Sequence, residues 1–149
     1  MAVVAKLYGG FILASWNKEL DLNTDVIKCM LVGSGYTPNQ DTHDYLDDVV
    51  ANELTGTGYS AGGATLANPT ITYTAGTNVA KFDADDASWA SSSITLPVNG
   101  SAIVYDSSPG TDATRPLICY QQTDTQVQST NGTFSVAWHA DGIAAITLA

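Results

Sequence analysis

The chain has 149 residues, enough for one domain whose core needs neither metals nor disulfides. Apolar residues make up 44% of it and charged residues only 13%, and 5 Lys and Arg against 15 Asp and Glu give a formal net charge of -10. An acidic chain repels phosphate backbones, so this composition excludes nucleic acid as an expected partner.

We expect residues 3–16 to form one or two strands, interrupted at Gly9 and Gly10 by a bulge or a close backbone approach. The segment superficially resembles a signal peptide, but the two glycines break its apolar run and no small-residue cleavage site follows. No apolar run approaches the ~18 residues of a membrane-spanning helix. The sequence therefore predicts a protein made in the cytoplasm, with no membrane partner.

Residues 25–32 are apolar throughout most of their length, which predicts a buried strand. The only convincing helix is predicted from His43 to Glu53, N-capped by Asp41 or Thr42 and with aspartates in its first turns. It is short and amphipathic, so we expect it to cap one end of a sheet.

A glycine-rich connection follows this predicted helix and runs from Thr55 to Pro69. Long loops inside compact domains are often functional or contact a neighbour. We therefore take its centre as the candidate partner-contact loop. Its residues are Gly56, Gly58, Tyr59, Ser60, Gly62 and Gly63.

Two hairpins are predicted in the second half of the chain. Residues 70–74 and 78–83 flank a turn at residues 75–77, and Asn131–Gly132 lies between two further extended runs. Residues 88–96 and 143–148 are predicted as additional strands. We expect Trp89 and Trp138 to anchor the core.

The strongest strand pair is predicted within residues 101–122. Two short, nearly continuous apolar runs, which include Ile103 and Tyr105, flank a polar loop with Pro109, Gly110 and Pro116. Such apolarity indicates burial on both faces, so we expect these strands at the centre of a sheet, with Ile103 and Tyr105 as core anchors.

Turn residues recur about every ten positions between about eight or nine predicted strands, and no alternation of strands and helices is present. The sequence therefore predicts an all-β fold, an antiparallel β-sandwich or jelly-roll-like domain with one short helix, spanning residues 1–149 as a single domain.

The sequence contains only weak matches to catalytic and metal-binding motifs. Residues 58–62 match the G-x-S-x-G pattern of a hydrolase nucleophile, but the strand and helix that position such a serine are not predicted around Ser60. Residues 83–86 suggest calcium but lack the spacing of an EF-hand loop, so a β-turn is the simpler interpretation. We predict no enzyme, no cofactor, and no catalytic or metal-binding residue.

Other residues allow two interpretations. Cys29 and Cys119 are small core hydrophobes or a bridge between adjacent strands. Trp16, Trp89 and Trp138 are core residues or a sugar-stacking platform. His43 and Asp47 lie one turn apart on the predicted helix, where a solvated acidic face explains them better than metal binding, and His139 is a polar strand-end residue rather than a catalytic base.

The run from Asp41 to Gly63, together with residues 82–89 and 102–106, resembles a widespread family of small tailed-bacteriophage proteins. The resemblance implies a virion structural or accessory protein that assembles in the host cytoplasm and is not an enzyme. We expect a capsid decoration or stabilising protein that binds the major capsid protein, or other virion proteins, as a homo-oligomer. Alternatives are a tail or baseplate accessory protein and a carbohydrate-binding adhesion module.

Overall fold

A computed structural model describes residues 3–149. Strands dominate this part of the chain, and all of their pairings are antiparallel. The twelve strands are β1 Val3–Leu7, β2 Ile27–Val32, β3 Ala64–Thr65, β4 Thr70–Thr74, β5 Val79–Asp83, β6 Ala87–Ser92, β7 Thr95–Leu96, β8 Ser101–Asp106, β9 Leu117–Thr123, β10 Val127–Gln128, β11 Gly132–Val136 and β12 Ala144–Thr147. Helical structure comprises α1 Gly9–Trp16 and 3₁₀ turns at Leu46–Asp48, Val50–Asn52 and Asp112–Thr114.

A five-stranded sheet with the order β1-β9-β8-β2-β3 forms the centre of the molecule. Every residue of β8 is buried. Because successive side chains of a strand point to opposite faces, Val104 belongs to one core cluster while Ile103 and Tyr105 belong to the other. The predictions that residues 101–122 form the central strand pair, and that this pair is buried on both faces, are confirmed.

Three smaller sheets face one side of the central sheet. Their strand orders are β10-β7, β11-β6 and β12-β5-β4. The core between the layers contains Phe82 of β5, Trp89 of β6 and Phe134 of β11, together with Cys29 and Ile118 of the central sheet. The fold is therefore all-β and sandwich-like, as predicted. Nine of the strands in residues 3–149 have four or more residues, which agrees with the predicted eight or nine.

The other face of the central sheet is covered by residues 36–50, whose regular secondary structure is limited to short 3₁₀ turns. Tyr36, Leu46 and Val49 pack there against Ile103 and Tyr8. The hydroxyl groups of Tyr8 and Tyr36 are 2.9 Å apart in this second core. Burial is the main reason that the pKa values of both tyrosines are raised, that of Tyr36 to about 12.

The predicted helix from His43 to Glu53 is wrong, because the segment forms only two 3₁₀ turns. Tyr45 is extended and forms an antiparallel bridge with Pro116. The Leu46 N–H donates to the carbonyl of Arg115, a bond to a distant strand end in place of one within a helix. Aspartates and β-branched valines have low helix propensity. The bonds to Arg115 and Pro116 and the burial of Leu46 therefore outweigh the segment's tendency to form a helix.

The strand predicted across residues 3–16 is correct only up to Leu7, because α1 follows from Gly9. Phe11 and Ala14, three residues apart, are the buried side chains of this helix. The close approach predicted at the glycines is present: a Cβ atom on Gly10 would lie 2.6 Å from that of Asp44. The predicted bulge is absent from this described segment, since the chain enters a helix instead.

One of the two predicted hairpins is present. β4 and β5 pair from Thr70 with Asp83 to Thr74 with Val79. The second, at Asn131–Gly132, is wrong: β10 pairs with β7 and β11 pairs with β6. These pairs form one interrupted antiparallel ribbon, and Asn131, with a φ of 47°, lies at the interruption. The local Asn-Gly pattern did not indicate that both flanking strands pair with strands about 30 to 50 residues earlier in the chain.

Candidate contact sites on the surface

The candidate loop of Gly56, Gly58, Tyr59, Ser60, Gly62 and Gly63 connects the 3₁₀ turn at Val50–Asn52 to β3. Its only aromatic side chain, Tyr59, is half-buried and stacks on Trp89 with ring centroids 5.6 Å apart. Ser60 is exposed. The loop is therefore attached to the core on one side and open to solvent on the other.

Hydrogen bonds fix the loop to the central sheet. The Tyr59 hydroxyl accepts the Leu31 N–H at 3.0 Å and donates to Glu53 Oε1 at 2.9 Å. The Gly62 N–H donates to the same Glu53 oxygen at 2.6 Å, and the Tyr105 hydroxyl donates to the Gly62 carbonyl at 2.8 Å. Burial is the largest cause of the raised pKa of Tyr59, so its hydroxyl stays protonated.

Two glycines of the loop are required by close packing. Gly63 has a φ of +78°, and a Cβ atom there would lie against the Cys29 carbonyl oxygen. Gly58 also has a φ of +78°, and a Cβ atom would lie 2.8 Å from Ser92 Cα. Only glycine can adopt this positive φ and leave room for the neighbouring backbone without strain. The glycines thus serve close approach to the sheet.

A depression of about 350 Å³, lined by both apolar and charged side chains, opens beside the loop. Lys28 and Arg115 line it, together with Glu53, Tyr105 and Gly62. These are two of the five Lys and Arg in a chain with a net charge of -10. The depression therefore offers both charge signs and can receive a polar side chain or carboxylate of a partner.

The basic side chain at the rim of this depression is held in place. Arg115 Nη1 donates to Asp112 Oδ1 at 2.8 Å, and Arg115 Nε donates to the Pro109 carbonyl at 2.9 Å. Burial raises the pKa of the neighbouring Tyr105 to about 12. Sequence analysis missed this site because Lys28 and Arg115 are far apart in sequence, although the scarcity of basic residues was a usable signal.

The most exposed large apolar side chains of α1 form a second candidate site. Trp16 is 78% exposed and Leu13 is 61% exposed. They are three residues apart, so they lie on the same side of the helix, opposite the buried Phe11 and Ala14. No charged residue occurs in α1. This uncharged pair, Leu13 and Trp16, is called the helix face below.

The predicted core anchors differ in burial. Trp89, Ile103 and Tyr105 are buried, Trp89 with 5% of its surface exposed. Trp138 is half-buried at the edge of the core, and its indole N–H donates to the Asp85 carbonyl. The three tryptophans therefore occupy three environments, and Trp89 is too buried to stack on a sugar.

The chemical motifs have structural explanations. Ser60 lies in a turn closed by a bond from the Gly63 N–H to its carbonyl, with no strand before it and no helix after it among the described elements. Asp83 caps the Ala84 N–H, as expected for a turn, and Asp86 accepts the Trp138 N–H. His139 is exposed and lies 3.1 Å from Asp141.

His43, assigned to a solvated surface, instead contacts the second core. Its Nδ1 atom is 2.8 Å from the hydroxyl of Tyr36, and the two rings lie with centroids 5.3 Å apart. Across residues 3–149, no three His, Cys, Asp or Glu side chains are grouped so that they could hold a metal ion. None of the helices in that range is long and apolar enough to cross a membrane.

Comparison of the chain with protein-family models, with curated proteins and with solved structures finds no match. The functional argument therefore depends on the residues themselves.

Proposed function

We propose that this chain is a bacteriophage virion structural protein, a capsid decoration protein that binds the major capsid lattice as a homo-oligomer. The sequence resemblance suggests this class, and the observation that supports attachment to a partner is the helix face. Leaving Trp16 78% exposed keeps a large apolar surface in water. Tryptophan is among the residues that contribute most to binding when a partner covers them.

The charge distribution suits attachment through this end of the chain. Three of the five basic residues, Lys6, Lys18 and Lys28, belong to the first 28 positions, while α1 itself has no charge. Few charges must lose their water when the helix face is covered, so most of the apolar gain is retained. Glu19 and Asp44 line a depression together with Leu13, so a neutral or basic partner surface suits this end of the chain.

The proposed mechanism is mass action. A protein that binds assembled capsid but not its dissociated subunits stabilises the assembled state by an amount that grows with the free concentration of that protein. Many copies on a symmetric lattice multiply this small contribution. No bond has to be formed or broken, so the proposal requires no catalytic residue.

Co-sedimentation with particles that lack this chain tests the proposal. We expect the wild-type protein to bind, and Trp16→Ala to bind at least about tenfold more weakly. Val98→Ala, at another exposed apolar side chain, is the matched control and should bind normally. Both variants should unfold within about 0.5 kcal/mol of wild type, because exposed substitutions have small effects on stability.

Absence of binding between the wild-type protein and assembled particles contradicts the proposed function. Equal binding by Trp16→Ala contradicts the role of the helix face. The copy number per purified virion separates a decoration protein, present in hundreds, from a tail or baseplate component, present in few.

A further inference from the structure

The three-stranded sheet β12-β5-β4 has an apolar face that the core covers only in part. Register places Ile71, Phe82 and Ala144 in one row and Tyr73, Ala80 and Ile146 in the next, on the same face. Phe82 and Ala144 are buried, whereas Ile71 is 54% exposed and Tyr73 is 56% exposed. The apolar surface is thus left open along β4.

The outer strand of this sheet, β4, has the sequence Thr-Ile-Thr-Tyr-Thr, and all five of its residues are exposed. Among the described strands, it pairs only with β5. Edge strands expose unpaired N–H and C=O groups and are usually protected by charges, proline or bulges. β4 contains neither charge nor proline, and its pairing with β5 has no register shift.

β1, an open edge of the central sheet, carries Lys6 among its five residues, a charge of the kind that opposes edge-to-edge pairing. β12, the other edge of the three-stranded sheet, is uncharged but has only four residues and begins with the buried Ala144. Among the described edge strands, β4 alone combines five exposed residues, no charge, and alternating threonine and large apolar residues. The contrast identifies β4 as the edge suited to strand addition.

We propose that β4 pairs antiparallel with β4 of a second copy of this chain, about a two-fold axis at Thr72. Thr72 then opposes Thr72 of the second copy, Ile71 opposes Tyr73, and Thr70 opposes Thr74. Two three-stranded sheets become one six-stranded sheet. Its apolar face continues across the junction, because an axis normal to the sheet keeps like faces together.

A second copy fits this edge better than an unrelated partner for two reasons. The five-residue sequence is self-complementary: reversed about Thr72 it again places threonine against threonine and an aromatic against a β-branched residue, a favourable cross-strand pair. In addition, β4 offers no negative charge to a basic partner, although the chain carries -10 overall. Two acidic copies can approach here without placing carboxylates opposite each other within the strand pair.

The size of the contact predicts a weak dimer. A five-residue strand pair with two apolar rows buries less than the ~1,200 Å² of a stable specific interface. Anchoring copies side by side on a larger assembly would raise their effective concentration and complete the pairing. The inference deepens the homo-oligomer part of the proposed function, but it is tested in solution without particles.

Cysteine cross-linking tests the register. Directly opposed residues of antiparallel strands have Cα atoms about 4.5–5.5 Å apart, within disulfide range. Thr72→Cys should therefore form a covalent dimer under mild oxidation. Thr70→Cys and Thr74→Cys are matched controls: each lies about 14 Å from its own copy and should not cross-link alone, whereas a mixture of the two should. Wild-type protein should stay monomeric on a non-reducing gel, since Cys29 and Cys119 are buried.

A charge test is independent of cysteine. Thr72 lies opposite Lys81 of the same chain, so Thr72→Glu gains an attractive neighbour within the monomer but places two carboxylates opposite each other in the dimer. We expect sedimentation velocity, over a series reaching millimolar protein, to show association at least about tenfold weaker than for the uncharged control Thr72→Gln.

The inference is overturned if Thr72→Cys cross-links no faster than Thr70→Cys, or if Thr72→Glu and Thr72→Gln associate equally. A protein that dimerises as expected but does not bind particles would retain this inference and refute the proposed function. A protein that binds particles but forms no β4 cross-link would support the proposed function and refute this inference.

Discussion

The hydroxyl of Tyr59 lies 2.9 Å from Oε1 of Glu53, and the same oxygen joins the glycine-rich loop to the central sheet by accepting the Leu31 N–H. β3 pairs only with Lys28 and Cys29 of β2, so Leu31 has no strand partner on that side. The Tyr59 hydroxyl accepts its N–H, and the Leu54 N–H donates to its carbonyl. One phenol oxygen thus continues the hydrogen bonding of a buried strand.

Removing that oxygen should destabilise the fold. We expect Tyr59→Phe to lower the free energy of unfolding by about 1–3 kcal/mol, because the buried Leu31 N–H loses its acceptor while the stacking on Trp89 remains. Urea denaturation followed by tryptophan fluorescence measures this. Tyr73→Phe is the control, since its exposed hydroxyl bonds only the adjacent Asn78 side chain; equal losses in the two variants would contradict the structural role of Tyr59.

Gly63 should tolerate no side chain. We expect Gly63→Ala to cost more than about 3 kcal/mol, since a methyl group meets the Cys29 carbonyl and the φ of +78° is unfavourable for alanine. Gly76→Ala and Gly110→Ala are matched controls, because a Cβ atom at either position has nothing within 4 Å. Thermal unfolding compares the three, and a Gly63→Ala protein as stable as the controls would refute the close packing of this loop.

Asp106 should give the protein a pH-dependent stability. Its side chain is buried, Oδ1 accepts the Ser108 N–H at 2.8 Å, and Oδ2 has no hydrogen-bond partner. Burial, with a further contribution from the Asp25 carboxyl, raises the pKa of Asp106 to about 6. The folded state therefore binds this proton more tightly than the unfolded chain. Its contribution to stability is complete below about pH 4 and is lost as the pH rises through about 6.

The neutral isostere Asp106→Asn should remove this dependence. We expect the variant to gain stability relative to wild type as the pH rises from 4 to 7, by about 1–3 kcal/mol, and to differ little at pH 4. Chemical denaturation at several pH values measures the difference. Asp47→Asn removes one exposed carboxylate and controls for net charge; a constant difference between Asp106→Asn and wild type would contradict the raised pKa.

The two cysteines should remain reduced and unreactive in the folded protein. Register places Val104 of β8 between Cys29 and Cys119, so their Cα atoms are about two strand spacings, or ~10 Å, apart. That separation exceeds disulfide range, which excludes the predicted alternative of a bridge between adjacent strands. Burial raises the pKa of Cys119 to about 12 and raises the pKa of Cys29 as well, which suppresses both thiolates.

A thiol reagent should label neither cysteine in native protein and both after unfolding, at least about a thousandfold faster. The Thr70→Cys variant supplies an exposed thiol as an internal reference for reagent activity. Rapid labelling of two thiols in the native wild-type protein would show that the central sheet is more open than the structure indicates.

Residue pattern alone was sufficient for the parts of the fold in which local sequence and burial agree. Continuous apolar runs predicted the central strands β2, β8 and β9, and turn residues around residues 70–83 predicted the β4-β5 hairpin. In the candidate loop, the sequence showed that glycine is frequent but not why glycine is needed there. Close approach to the Cys29 carbonyl, rather than flexibility, becomes visible only when β2 lies beside them.

Tertiary contacts determined the conformation of the segments whose local preference for helix or strand is weak. The run from His43 to Glu53 has apolar residues at helical spacing but is rich in poor helix formers. It forms 3₁₀ turns because its backbone bonds to Arg115 and bridges to Pro116 instead of closing a helix. Residues 9–16 became a helix because Phe11 and Ala14 could then pack together into a core made by distant strands. Hydrophobic pattern specifies that a segment is buried, whereas its conformation depends on which partners, often a hundred residues away, satisfy its backbone.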